Sequence, residues 1–123
     1  QRHALRAAVA DADAAEASRL ASLQQLELVT TQAYWEVVRA RAQLALANES
    51  RGVAQERSRQ AELQVQTGSA TQAQALSASA QASAYDQLIR VAEGRLNVAE
   101  MSLRDLLGME EIATKKQWKS GGK

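Results

Sequence analysis

The side chains best able to do chemistry in this chain are few and scattered. Its one histidine, His3, would need a carboxylate or thiolate partner to act as a general base or metal ligand, and none is in sight. Asp11, Asp13 and Glu16 form a small acidic group on an early segment, and Asp86 and Glu93 form another further along. Both read as solvated helix faces. Serines recur between Ser77 and Ser83, but no histidine or lysine stands nearby to activate a hydroxyl. There is no cysteine, hence no thiolate nucleophile or Cys/His metal set, and no glycine-rich phosphate loop or aromatic-basic stacking platform. Tyr34 and Trp35 read as packing groups at a helix interface rather than as a ligand box. The expectation is therefore a non-enzyme, with no catalytic residue, cofactor or metal.

The elements that carry these residues are helical by composition. The chain of 123 residues has no proline, no phenylalanine and only six glycines, and its 46% apolar content is dominated by alanine. Good helix formers make up most of the remainder. Such a composition fills thin seams between helices rather than a deep core. The formal charge of +1 gives no reason to expect nucleic acid as a partner. Arg39, Arg41, Arg51, Arg57 and Arg59 alternate with Glu36, Glu49, Glu56 and Glu62, the pattern of a salt-bridged helix face. No stretch approaches the ~20 apolar residues that a membrane-spanning helix requires.

Apolar and small residues recur at steps of four and three through Leu26, Thr30, Ala33, Val37, Ala40, Leu44, Ala47, Arg51, Ala54, Ser58, Ala61 and Val65. Only a long helix keeps that register, which predicts a helix over about 2–66, roughly 100 Å long. A second run, Ala75, Ala78, Ala82, Tyr85, Ile89, Ala92, Leu96, Ala99, Leu103 and Leu106, predicts a helix over about 72–107. Beside each lies another stripe: Leu28, Thr31, Trp35 and Val38 on the first helix, Leu76, Leu88, Val91 and Val98 on the second. Two stripes per helix imply two sets of neighbours. Residues 67–71, Thr-Gly-Ser-Ala-Thr, form the tip: Gly68 can end one helix in the left-handed conformation, and Ser69 or Thr71 can cap the next. The fold class expected is all-α, a long antiparallel helical hairpin with unequal arms, its helix-packing residues including Trp35, Val37, Leu44, Tyr85, Ile89, Leu96, Leu103 and Leu106. Gly108 is expected to cap the second helix. All four lysines fall between Lys115 and Lys123, so 110–123 reads as a tail, a linker or an expression-derived extension, and the chain as an excised piece.

Three stretches taken together, TTQAYWEVVRARAQLALANES (30–50), RSRQAELQVQTGSATQAQALSASAQ (57–81) and LNVAEMSLRDLLG (96–108), resemble one repeat of the outer-membrane efflux protein family, the TolC-like exit ducts. The resemblance implies the periplasmic helical hairpin of a trimeric outer-membrane efflux or secretion channel of a Gram-negative bacterium. In such a duct the neighbouring hairpins of a homotrimer close the wall, and the hairpin itself makes no membrane contact. It further implies that the tip docks a periplasmic adaptor (membrane-fusion) protein in a tripartite export system. Mapped onto this sequence, the adaptor-docking tip comprises Leu63, Val65, Gln66, Thr67, Gly68, Ser69, Ala70, Thr71, Gln72 and Leu76. Many family members carry an acidic or hydrophobic residue just after the turn, where Gln72 and Gln74 stand here. No acid lies between Glu62 and Asp86, so a pore-constricting carboxylate ring is not visible in this repeat.

Two other readings compete. The hairpin of the adaptor itself is also a long antiparallel coiled coil. Arg59 and Leu63 fit two positions of the adaptor tip pattern, but Ala70 stands where it has serine. A structural or signalling coiled coil would have one seam per helix and equal arms, which the double stripes disfavour.

Overall fold

A computed structural model describes the backbone of residues 1–121 and the side chains of residues 1–116. It contains two α-helices, α1 (Arg2–Gln66) and α2 (Gln72–Gly121), and among the described residues no strand. The helices pack against each other as a coiled-coil-like hairpin, and the chain divides into two units. Glu36–Glu100 contains the reversal and both adjoining arms, whereas Gln1–Trp35 and Met101–Lys123 form the other unit.

Within Glu36–Glu100 the seam follows the four-three spacing of the sequence. Val37, Ala40, Ala75, Ile89 and Ala99 are buried. Leu44, Ala47, Ala54, Ser58, Ala61 and Val65 on α1, and Ala78, Ala82, Tyr85, Ala92 and Leu96 on α2, are half-buried. Alanine dominates because it brings two helix backbones close together, and the same choice keeps the seam thin. Val37 and Ile89 are the large buried anchors, each contributing on the order of 1.5–3 kcal/mol. Asp86, expected on a solvated face, is half-buried and takes an ion pair from Arg51 at 3.4 Å; Arg41 reaches Glu100 at 3.3 Å. Arg51 falls on the seam register and is half-buried, its guanidinium paired across the helices with Asp86.

In the other unit, Leu23, Leu26, Val29 and Ala33 of α1 and Leu103, Leu106 and Ala113 of α2 are half-buried, and Thr30 is buried. The Thr30 hydroxyl donates to the Leu26 carbonyl at 2.7 Å, so the buried oxygen is satisfied within its own helix.

Two expectations are corrected here. α2 does not end near residue 107, and Gly108 is not its cap: the helix runs on to Gly121, and Gly68 is the glycine with positive φ among the described residues. A lone helical glycine costs only ~1 kcal/mol, and the seam spacing continues past it through half-buried Glu110 and Ala113. Local bonds support the extension, Lys115 to Glu111 at 3.2 Å and the Thr114 hydroxyl to the Glu110 carbonyl at 2.9 Å. The 110–123 segment is thus helical as far as Gly121, and Trp118 lies outside the residues whose side chains are described. The arms remain unequal, at 65 and 50 residues. Second, Trp35 does not join the seam. It is 59% exposed on the opposite side of α1, edge-on to Tyr34 with ring centroids 5.5 Å apart.

Candidate functional site

The reversal between the helices is built from interlocking local bonds. Gly68 adopts φ +82°, donates its N–H to the Val65 carbonyl at 3.1 Å, and leaves Ser69 to donate to the Gln64 carbonyl at 2.8 Å. That pair of bonds is a Schellman termination, which only a residue at ease in the left-handed region completes without strain. The Gln64 carbonyl also accepts from the Ala70 N–H and from the hydroxyls of Thr67 and Ser69. The Thr67 and Ser69 hydroxyls lie 3.1 Å apart. Four donors thus converge on one oxygen at the end of α1.

α2 begins with a reciprocal cap. The Gln74 N–H donates to the Thr71 hydroxyl at 3.2 Å, while the Thr71 N–H donates to the Gln74 side-chain oxygen at 2.9 Å. This is a capping box, with glutamine three residues after the capping threonine. Of the two capping candidates, Thr71 holds the position and Ser69 serves the preceding helix. The Gln74 side-chain oxygen is consequently occupied by the Thr71 N–H.

Around this frame Gln66, Thr67, Gly68, Ser69, Thr71 and Gln72 are exposed, and Val65 and Ala70 are half-buried. Leu63 and Leu76 flank the turn, exposed at 47% and 62%. The ten residues expected at the tip therefore form one short segment, with a backbone tied to itself and two exposed leucines at its shoulders. Arg59 is held by Glu56 through two bonds, 3.1 and 2.6 Å, and that hydrogen bonding pulls the Glu56 carboxyl below its ordinary pKa and raises Arg59.

Away from the tip, the second stripes stay uncovered. On α2, Leu88, Val91 and Val98 are exposed, as is Val38 on α1; in the other unit Leu28 is exposed as well. The seam residues expected to pack, Val37, Leu44, Tyr85, Ile89, Leu96, Leu103 and Leu106, are all buried or half-buried. Sequence reasoning missed one feature of the Glu36–Glu100 unit. A groove runs along one flank between Leu46, Val53, Ala84, Tyr85, Leu88 and Val91, whereas the Arg41–Glu100 and Arg51–Asp86 pairs bridge the helices elsewhere. Its α2 side was visible as the second stripe through Leu88 and Val91, but on α1 the signal was only the seven-residue step from Leu46 to Val53, too short to stand out as a stripe.

His3, Asp11, Asp13 and Glu16 are exposed, and the described residues contain no group of three or more potential metal ligands. No helix among the described residues is long and apolar enough to cross a membrane. No family model matches the chain, and neither a curated protein nor a solved structure matches it.

Proposed function

We propose that this chain is a helical stave of an export duct: the periplasmic hairpin of a TolC-like outer-membrane channel, whose tip docks a periplasmic adaptor protein. The observation that carries the reading is the apolar surface left over once the seam is filled. Leu88, Val91 and Val98 stand exposed on α2 although the helix already has a packing partner on its seam face. A helix in a closed wall needs neighbours on more than one face, and a solitary hairpin does not. The tip fits the docking role in a complementary way. The N–H groups of residues 67–71 are bonded within the turn, and Gln66, Gln72 and the leucines at positions 63 and 76 are exposed where another helical hairpin would meet them.

Binding of the intact chain to purified periplasmic adaptor hairpins, followed by calorimetry, tests this reading. Wild-type protein is expected to bind a cognate adaptor, and Leu76→Glu to weaken binding strongly without loss of helical circular dichroism. Absence of binding to every adaptor of the source organism, or binding indifferent to Leu76→Glu, defeats the docking role. The flanking gene sequence tests the family independently: transmembrane β-strands are expected on either side of the hairpin.

A further inference from the structure

Each helix of the Glu36–Glu100 unit carries a further stripe that the seam does not use. On α1, Ala42, Leu46, Glu49 and Val53 follow one another at steps of four and three, and on α2 Gln87, Val91, Gly94 and Val98 do the same; every one of them is exposed. That is the spacing of a packed helix face, and each stripe lies roughly 160° round its helix from the seam. Helices contacted on nearly opposite sides line up in a wall rather than close around a common core. Leu46, Val53 and Val91 border the same groove, so both stripes lean to one side of the hairpin and successive contacts curve one way.

The stripes match each other in level, size and charge. The Arg41–Glu100 and Arg51–Asp86 pairs tie residues of α1 and α2 that stand at about the same height, which puts Leu46 level with Gly94, Ala42 with Val98 and Val53 with Gln87. The largest apolar side chain of one stripe thus stands level with the residue that has none on the other. A glycine inside a helix is destabilising relative to alanine, and Gly94 answers no need of the hairpin: its φ is not positive, and a Cβ there would meet nothing within 4 Å. Glu49 is level with Val91, which has Arg90 before it and Arg95 a turn beyond. None of these three charges takes part in an ion pair among the described residues.

From this we infer that α2 of one copy packs against α1 of a second copy standing beside it in the same direction, with Leu46 of that copy entering the space at Gly94 and its Glu49 lying between Arg90 and Arg95. Rotation about an axis parallel to the helices keeps every residue at its height, so the residues that meet are the level ones. The contact is head-to-tail, α2 stripe to α1 stripe, and leaves each copy one free stripe for the next, the kind of contact that closes as a ring. The inference rests on the wall reading for the upright, level placement of the neighbour, and it names the two surfaces that meet.

Sedimentation velocity and oxidative cross-linking of the full chain test it. The wild type is expected to associate beyond a dimer as concentration rises. Gly94→Leu is expected to weaken association about tenfold or more by filling the space Leu46 enters. Helical circular dichroism should be kept, because leucine is the better helix former, and adding Leu46→Ala should recover association. The chain has no cysteine. A disulfide holds its Cβ atoms ~3.8 Å apart, and nothing in the hairpin lies within 4 Å of a Cβ at position 94, so a link between positions 46 and 94 joins two copies. Leu46→Cys and Gly94→Cys are expected to form linked dimers when mixed and not when alone, and the variant carrying both to give a ladder of linked multimers. A monomer at every concentration, Gly94→Leu associating as the wild type does, or Leu46→Cys alone linking as readily as the mixture would each overturn the inference. The tip takes no part in this contact, so a chain that binds an adaptor through Leu76 yet gives no link between 46 and 94 keeps the docking role and loses this joint.

Discussion

At the scale of single residues, the helix reversal rests on two kinds of requirement that can be separated experimentally. Gly68 is needed for its backbone, since a Cβ there would meet nothing within 4 Å yet φ is +82°. Gly68→Val is therefore expected to destabilise the hairpin by about 1–2 kcal/mol through left-handed strain alone, and Gly68→Asn by much less, as thermal melts would report. Thr71 and Gln74 are needed for their side chains. Thr71→Ala should cost about 1 kcal/mol, and a double-mutant cycle with Gln74→Ala should show coupling, because each side chain satisfies the other's backbone. The glycine and threonine were legible in the sequence because termination and capping are local. Gln74 was equally local, in the spacing Thr71-x-x-Gln74, but weighing it only against the acidic or hydrophobic residue that many family members carry there concealed its use as a cap. Glu56 offers a pH-dependent check. Its pKa is depressed by the Arg59 hydrogen bond, so the pair's contribution is present above the ordinary carboxylate range and is lost as pH falls through the lowered value. In a carboxyl NMR titration, Arg59→Gln is expected to return the Glu56 midpoint upward to the ordinary range.

At the scale of the helices, burial separates the two apolar stripes that sequence spacing presents as similar. Ile89 and Leu88 are chain neighbours, one 5% and the other 54% exposed. Ile89→Ala is expected to cost roughly 2–5 kcal/mol, whereas Leu88→Ala should leave the stability of the monomer within about 0.5 kcal/mol, as denaturant titration would show. The seam was readable because every four-three step falls on one face of a helix, so the register carries the packing with it. Where α2 stops was not readable. Gly108 and the change to lysine looked like punctuation, but the glycine penalty is small and Glu111 with Lys115 supplies helical support beyond it. The groove flanked by Leu46 and Leu88 was equally hidden, since it exists only once both helices are placed side by side.

For the whole molecule, the decisive property is how much of each unit is left without a packing partner. Residues 1–22 are exposed throughout, Leu5 and Val9 among them at 67% and 59%, and half-burial in that unit begins at Leu23. Helix propensity alone gives marginal stability in water; most helical stability in proteins comes from packing an apolar face. Amides of residues 3–22 are therefore expected to exchange with solvent orders of magnitude faster than those around Ile89 and Ala99, which lie in the buried part of the Glu36–Glu100 seam. Deleting residues 1–22 should leave the denaturant midpoint assigned to the Glu36–Glu100 unit unchanged. Hydrogen exchange followed by mass spectrometry at two protein concentrations distinguishes the alternatives. Fast, concentration-independent exchange over 3–22 means that this stretch has no partner in the isolated protein. Slow exchange that speeds up on dilution means that Leu5 and Val9 are covered by another copy, and the neighbour implied by the uncovered apolar surface would then begin at the first turns of α1.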